Sequence, residues 1–194
     1  MVIFKLIYNQ MYPNKESSIM EIKIKKFSEL SLDELYEILR LRADVFVVEQ
    51  KCPYGDLDGI DQDALHLCLY DEKGKLVAYL RVIPQGRLFK EAALSRVVTR
   101  VRRKGYGSLI VQAGIKTAVE QFHADSIRIH AQQYAIPFYE KAGFKVVSEV
   151  FLEDGIPHKQ MLWEKKTAIE EEKARNRKSD QRRGSHFSAN TSDT

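Results

Sequence analysis

The stretch Thr99–Lys116, "TRVRRKGYGSLIVQAGIK", decides how the chain is read. It sets four cations, Arg100, Arg102, Arg103 and Lys104, into five positions and then passes two glycines into an apolar helical pattern. A basic cluster alone is most often a solvated face. Here Gly105 and Gly107 permit a tight turn and close backbone approach to a ligand. A helix beginning near Ser108 adds unpaired N–H groups and the positive end of its dipole. Together these features predict an anion site, most naturally for a phosphate.

The elements on either side give that loop its setting. Upstream, "ALSRVVTRV" is rich in β-branched residues and predicts a central strand. Downstream, Val111, Ile115, Ala118 and Phe122 form a helical stripe that Leu109, Ile110 and Ala113 broaden, so the helix is expected to be buried over much of its circumference. Nearer the N-terminus, "MEIKIKKF" from Met20 alternates Ile22 and Ile24 with lysines as a strand does. Ser31 and Glu34 form a capping box for a helix over 32–45. "EQKCPYGDLDGIDQDALHL" is broken by Pro53, Gly55 and Gly59 and reads as a long polar loop, and "HLCLYD" and "LVAYLRVIP" after it read as a hairpin. The remainder reads as a strand "SIRIHAQ", a short helix around "PFYEKAGF" ended by Gly143, and a hairpin turning at Asp154-Gly155. The order β, α, ββ, β, α, β, α, ββ is a mixed α/β fold, a central mixed β-sheet flanked by helices.

Length and composition bound the class. A chain of 194 residues buries a full core, and 44% hydrophobic with 30% charged residues is ordinary for a soluble domain. Residues 1–19 read as an extension outside the fold, 20–164 as the domain, and 165–194 as a charged tail short of apolar partners. The net charge of +4, with no nucleic-acid-binding module, gives no ground for a nucleic-acid partner. No apolar run is as long as a membrane span. Cys52 and Cys68 stand outside any CxxC pair, which gives no metal or redox motif and points to a reducing, cytoplasmic setting.

Spacing separates the phosphate-binding schemes. Walker A needs Gly-Lys-Ser/Thr four residues after its first glycine, and no such run exists. A dinucleotide fingerprint needs a third glycine where Ile110 stands, and an acidic residue on a following parallel strand. Arg102-x-x-Gly105-x-Gly107, after a strand and before a helix, resembles instead the pyrophosphate loop of the GCN5-related N-acetyltransferases (GNAT). Phe138-Tyr139-Glu140-Lys141-Ala142-Gly143-Phe144 resembles that family's later "FYEKxGF" signature at matching separation. The resemblance covers about Met20–Trp163. "LRADVFVVEQKCPYGDLDGIDQDALHL" and "FLEDGIPH" are similar to the ElaA-like branch. Arg103 and Ser95 depart from the residues usual at those places, and neither removes the anion site.

The resemblance implies an acetyl-CoA-dependent N-acyltransferase without a metal, moving an acetyl group to a primary amine of a small molecule or a protein by direct attack in a ternary complex. It places the pyrophosphate on Arg102, Arg103, Lys104, Gly105, Tyr106, Gly107 and Ser108. It runs the pantetheine and acyl oxygen along Val97, Val98 and Thr99, with the Val98 N–H as donor, and adds Gln132 and Tyr139 to the cofactor contacts. Tyr139 matches the family's general acid. The base is left open among Glu49, Asp58, Asp61, His66, Glu153 and His158; the bland alternatives are turn formation for the carboxylates and a structural role for His66. Asp56, Asp58, Asp61 and Asp63 would form an acidic rim suited to a cationic amine. Arg42 and Glu49 are expected to pair beneath it. A sheet edge near the last hairpin would allow a homodimer. The competing class is a CoA-responsive binding module whose tail holds a macromolecule. Within the same fold, an acyl-homoserine-lactone-synthase-like activity is a further reading.

Overall fold

The computed structural model describes residues 2–7 and 19–166. Its strands are β1 Val2–Ile7, β2 Ile19–Lys26, β3 Leu65–Tyr70, β4 Leu76–Ile83, β5 Ala92–Thr99, β6 Ser126–Gln132, β7 Lys145–Val146, β8 Phe151–Glu153 and β9 Ile156–Glu164. Its α-helices are α1 Leu32–Arg42, α2 Tyr106–Phe122 and α3 Ile136–Lys141. They form one mixed sheet in the order β1-β2-β3-β4-β5-β6-β9-β7, with β8 paired to β9. Residues Met1–Trp163 make one unit, and Glu164–Thr194 a second, of which 164–166 are described.

Strand alternation sorts side chains onto two faces, and each face finds its own helix. On one, Leu80, Val82, Leu94 and Ile127 pack with Leu109, Ile110, Val111 and Ile115 of α2. On the other, Cys68, Tyr79 and Val98 pack with Ile38 and Leu41 of α1. β4 lies between them and is buried at every residue, which is why "LVAYLRVI" reads as an almost unbroken apolar run. The capping box of α1 forms as spaced: Ser31 Oγ accepts from the Glu34 N–H at 3.2 Å, and the Glu34 carboxylate accepts from the Ser31 N–H at 2.9 Å.

Two expectations need correction. Residues 1–19 do not lie wholly outside the fold, because Val2–Ile7 pairs antiparallel with β2, Val2 opposite Ile24 and Ile7 opposite Ile19. "VIFKLI" is β-prone, and the open edge of β2 offers the backbone groups to pair with it. Residues 8–18, and the tail beyond Lys166, lie outside the described residues. The first helix does not end near Val45 either: past Arg42 it widens into π-helical turns over Ala43–Glu49. There Gln50 N–H donates to Val45 O and Cys52 N–H to Val47 O, five residues back.

Candidate active site

The site begins where the sheet opens. β5 and β6 are parallel neighbours with Ala92 opposite Ile127 and Ala93 opposite Arg128, and there the pairing ends. On its other side β5 carries a bulge: Tyr79 faces Val98 and Arg81 faces Ser95, so β5 spends one residue more than β4. Arg96 stands at that bulge with φ +52°, a conformation that non-glycine residues rarely adopt. The gap between the parted strands is a cleft of about 810 Å³ that runs from the basic loop to the last hairpin.

The ladder decides which backbone groups face this cleft. Arg100 N–H donates to Val77 O at 2.9 Å, and antiparallel N–H groups alternate sides along a strand. The Val98 N–H therefore points to β4, and that of Thr99 to the cleft. Val97, beside the bulge, lines the cleft as well. The donor expected at Val98 is thus moved by one residue, because side-chain pattern alone does not fix ladder phase.

At the loop end, Gly105 is the N-cap of α2 with φ +83°, a left-handed conformation that costs a glycine little. Gly107 sits in the first turn against Phe138 and Thr99; a Cβ there would lie 3.3 Å from Phe138 Cζ. The helix starts at Tyr106, two residues before the expected Ser108, and its first-turn N–H groups lack carbonyls one turn back. Arg102, Arg103, Gly105, Tyr106, Gly107 and Ser108 all line the cleft, and Lys104 does not. Arg102 is paired with Glu49 at the end of the π-helical segment. Glu49 was expected to pair with Arg42, and that expectation is corrected here. Across the gap, Gln132 at the end of β6 exchanges side-chain hydrogen bonds with Gln50, the shorter at 3.1 Å.

The polar loop before β3 is pinned by Arg42, given Glu49 as its expected partner, and by Arg81, Arg87 and Arg96, which the sequence reading passed over. Arg42 donates to Asp56 at 2.9 Å and to Asp61 at 2.7 Å. Arg81 grips Asp58 through two bonds of 2.8 Å and also reaches Asp61 at 3.1 Å. Arg96 pairs with Asp56 at 2.7 Å, and Asp63 pairs with Arg87. Burial pushes the Asp58 and Asp61 carboxyls up, but the arginine bonds outweigh it and hold both below the usual carboxylate range. The acidic rim is therefore neutralised and gives no net field for a cation.

Asp61 and His66 do not line the cleft. Asp61 is bound to two arginines, and its backbone O accepts from His66 Nε2 at 2.9 Å. That carbonyl can only accept, so Nδ1 carries no proton and accepts from Tyr79 O–H at 2.8 Å. Burial lowers the His66 pKa, and the ring is a neutral, fully bonded core histidine. Neither residue is placed to act as a base.

Tyr139, Glu153 and His158 do line the cleft. His158 Nδ1 donates to Ile156 O at 2.8 Å, and its ring stacks on Phe151. Glu153 Oε2 lies 2.9 Å from Nδ1 of His130, a residue that sequence reasoning missed. The signal was present: in "SIRIHAQ" the buried Ile127, Ile129 and Ala131 alternate with Arg128, His130 and Gln132 on the other face. Among the described residues no group of three or more His, Cys, Asp or Glu is placed to hold a metal ion, and no helix is long and apolar enough to cross a membrane.

An opened parallel pair, a bulge beside it and a glycine-capped helix at one end frame this cleft, and the comparisons give the class of protein that carries it. The family model described as "Acetyltransferase (GNAT) domain" matches residues 39–165. A UPF0039 protein of Schizosaccharomyces pombe is 41% identical over 76% of this chain and 99% of its own. Escherichia coli ElaA is 36% identical over 68% of this chain and 88% of its own, and its crystal structure superposes with a TM-score of 0.69 over 75% and 99% of the two chains. The crystal structure of an acyl-CoA N-acyltransferase from Pseudomonas aeruginosa, 37% identical, covers 73% of this chain and 98% of its own at a TM-score of 0.68. The chain belongs to the GNAT family of N-acyltransferases and, within it, to the ElaA-like group.

Proposed function

We propose that the protein transfers an acetyl group from acetyl-CoA to a primary amine by direct attack in a ternary complex. The observation that carries this reading is the continuity of one cleft from the Gly105-capped helix to the bulge at Arg96, where a phosphate site and strand N–H groups lie in line. The first-turn N–H groups of α2, with Arg102 and Arg103, take the pyrophosphate. Entry of the phosphates displaces the Glu49 carboxylate from Arg102, exchanging an exposed pair for a charge-assisted contact.

The Thr99 N–H supports the pantetheine, and the Val97 N–H at the bulge polarises the acyl oxygen as it gains charge. Once the C–N bond forms and the C–S bond breaks, the thiolate leaves beside Tyr139. Burial, and then the neighbouring Tyr134, raise the Tyr139 hydroxyl above the ordinary phenol range. The phenol stays protonated and donates its proton to the leaving sulfur. Cys52 Sγ is turned to Asp154 O at 3.4 Å, a packing role that leaves direct transfer as the simpler route.

The test is release of CoA thiol from acetyl-CoA in the presence of a panel of primary amines, with mass spectrometry of the products. Amine-dependent release and a mass gain of one acetyl group support the reading. Acetyl-CoA binding without transfer to any amine would favour the CoA-responsive binding module.

A further inference from the structure

The cleft end opposite the basic loop holds a pair that nothing above has used. Glu153, at the end of β8, reaches across to β6 and places Oε2 2.9 Å from His130 Nδ1. A carboxylate only accepts, so Nδ1 carries a proton, and in the neutral ring Nε2 is the bare lone pair. Nε2 is buried and has no hydrogen-bond partner among the described residues. The ring is clamped between Phe89 and Phe151, with centroids at 4.8 and 4.9 Å, which fixes its orientation. The hydrogen bond from His130 also keeps the Glu153 carboxyl below its usual range, against the burial that would raise it. The carboxylate that holds the tautomer is therefore charged at neutral pH.

The fold aims this ring at the reacting centre. His130 and Gln132 both line the cleft that Ser95, Arg96 and Val97 of the bulged strand also line. Gln132 belongs to the pantetheine half of the cleft and His130 to the half the acceptor must enter. We infer that His130, oriented by Glu153, is the catalytic base that takes a proton from the acceptor ammonium, an inference that rests on the acyltransferase reading. An alkyl ammonium has a pKa near ~10 and must lose one proton before its nitrogen can attack. Nε2 takes that proton, and the imidazolium is stabilised by Glu153. The freed lone pair forms the C–N bond, the C–S bond breaks, and the second amine proton replaces the one Tyr139 gives to sulfur. The imidazolium then gives its proton to water that enters the cleft once the amide product has left.

His158 on β9 is the natural rival. Its Nδ1 is committed to its own strand's Ile156 carbonyl, so no carboxylate orients that nitrogen. The charged groups facing His130 are Glu153, with His158 and Arg96 acting on that carboxylate, and the Arg128–Glu91 pair two residues along β6.

The proposal is tested on the full chain in two ways. The ¹⁵N shifts of His130 in the presence of acetyl-CoA report the tautomer without any acceptor: Nδ1–H is expected, and Nε2–H would overturn the assignment. With 1,4-diaminobutane and a lysine-containing peptide as probe amines, His130→Ala is expected to lower CoA release about 10²-fold while acetyl-CoA affinity holds. Added imidazole should restore roughly tenfold, a rescue that a merely structural role would not produce. Glu153→Gln, a milder change that keeps the hairpin turn, is expected to lose about tenfold, and His158→Gln much less. Turnover in His130→Ala within about threefold of the intact chain would overturn the inference alone. Failure of the intact chain to bind acetyl-CoA would overturn the acyltransferase reading, and this inference with it.

Discussion

Tyr139 and Asp61 show how one local environment makes a group chemical and another makes it structural. Tyr139 faces the cleft with a hydroxyl held protonated by burial, so Tyr139→Phe is expected to slow turnover by about 10- to 100-fold at unchanged acetyl-CoA affinity. Equal turnover in the variant would remove its acid role. Asp61 is spent on Arg42 and Arg81. Its folded pKa lies below the unfolded value of about 3.9, so its stabilising contribution is full above roughly pH 4 and is lost as pH falls toward the folded value. Asp61→Asn leaves two buried guanidiniums short of charge and is expected to cost about 3 kcal/mol in denaturant melts at pH 7. Because it has already lost the titrating group, its stability should decline less between pH 5 and acid than that of the intact chain. A parallel decline would contradict the assignment.

The pairing of α2 with β4 and β5 sets the element scale. Gly114 lies on the buried face of α2, and a Cβ there would meet Leu80 Cδ2 at 3.0 Å and Leu94 Cδ2 at 3.1 Å. Gly114→Ala gains about 1 kcal/mol of helix propensity, but overpacking against two buried leucines costs about 1–3 kcal/mol. A net loss in melting temperature is expected, and a gain would show that the leucines move aside freely. The strand, glycine turn and broad apolar helix from Ala93 to Phe122 were legible because period-2 and period-3.6 patterns meet there at a glycine that only a left-handed turn explains. The splay of β5 from β6 was not, since a bulge is a register event and leaves no mark on hydrophobic spacing. The same holds for the cleft-side N–H groups, which shift by one residue with ladder phase. His130 was legible as a polar face of β6, yet its partner Glu153 is brought to it only by the tertiary fold. The partners of the aspartate loop were hidden for the same reason: Arg42, Arg81 and Arg96 come from three elements, and only contact in space pairs them with Asp56, Asp58 and Asp61.

On the scale of the whole molecule, the matched family domain ends at residue 165, and the charged segment after it is the only sequence support for a binding-module role. Truncation after Lys166 is expected to leave acetyl-CoA affinity and amine-dependent turnover unchanged. Loss of either would transfer weight to that second role. The central claim is that the cations beside Gly105 hold a CoA pyrophosphate, and calorimetric titration of acetyl-CoA into the intact chain and into Gly107→Glu tests it most directly. That substitution puts a Cβ 3.3 Å from Phe138 and a negative charge among the helix N–H groups. Stoichiometric binding by the intact chain, abolished in the variant, is the predicted result. No binding by the intact chain, or equal binding by both, would contradict the account.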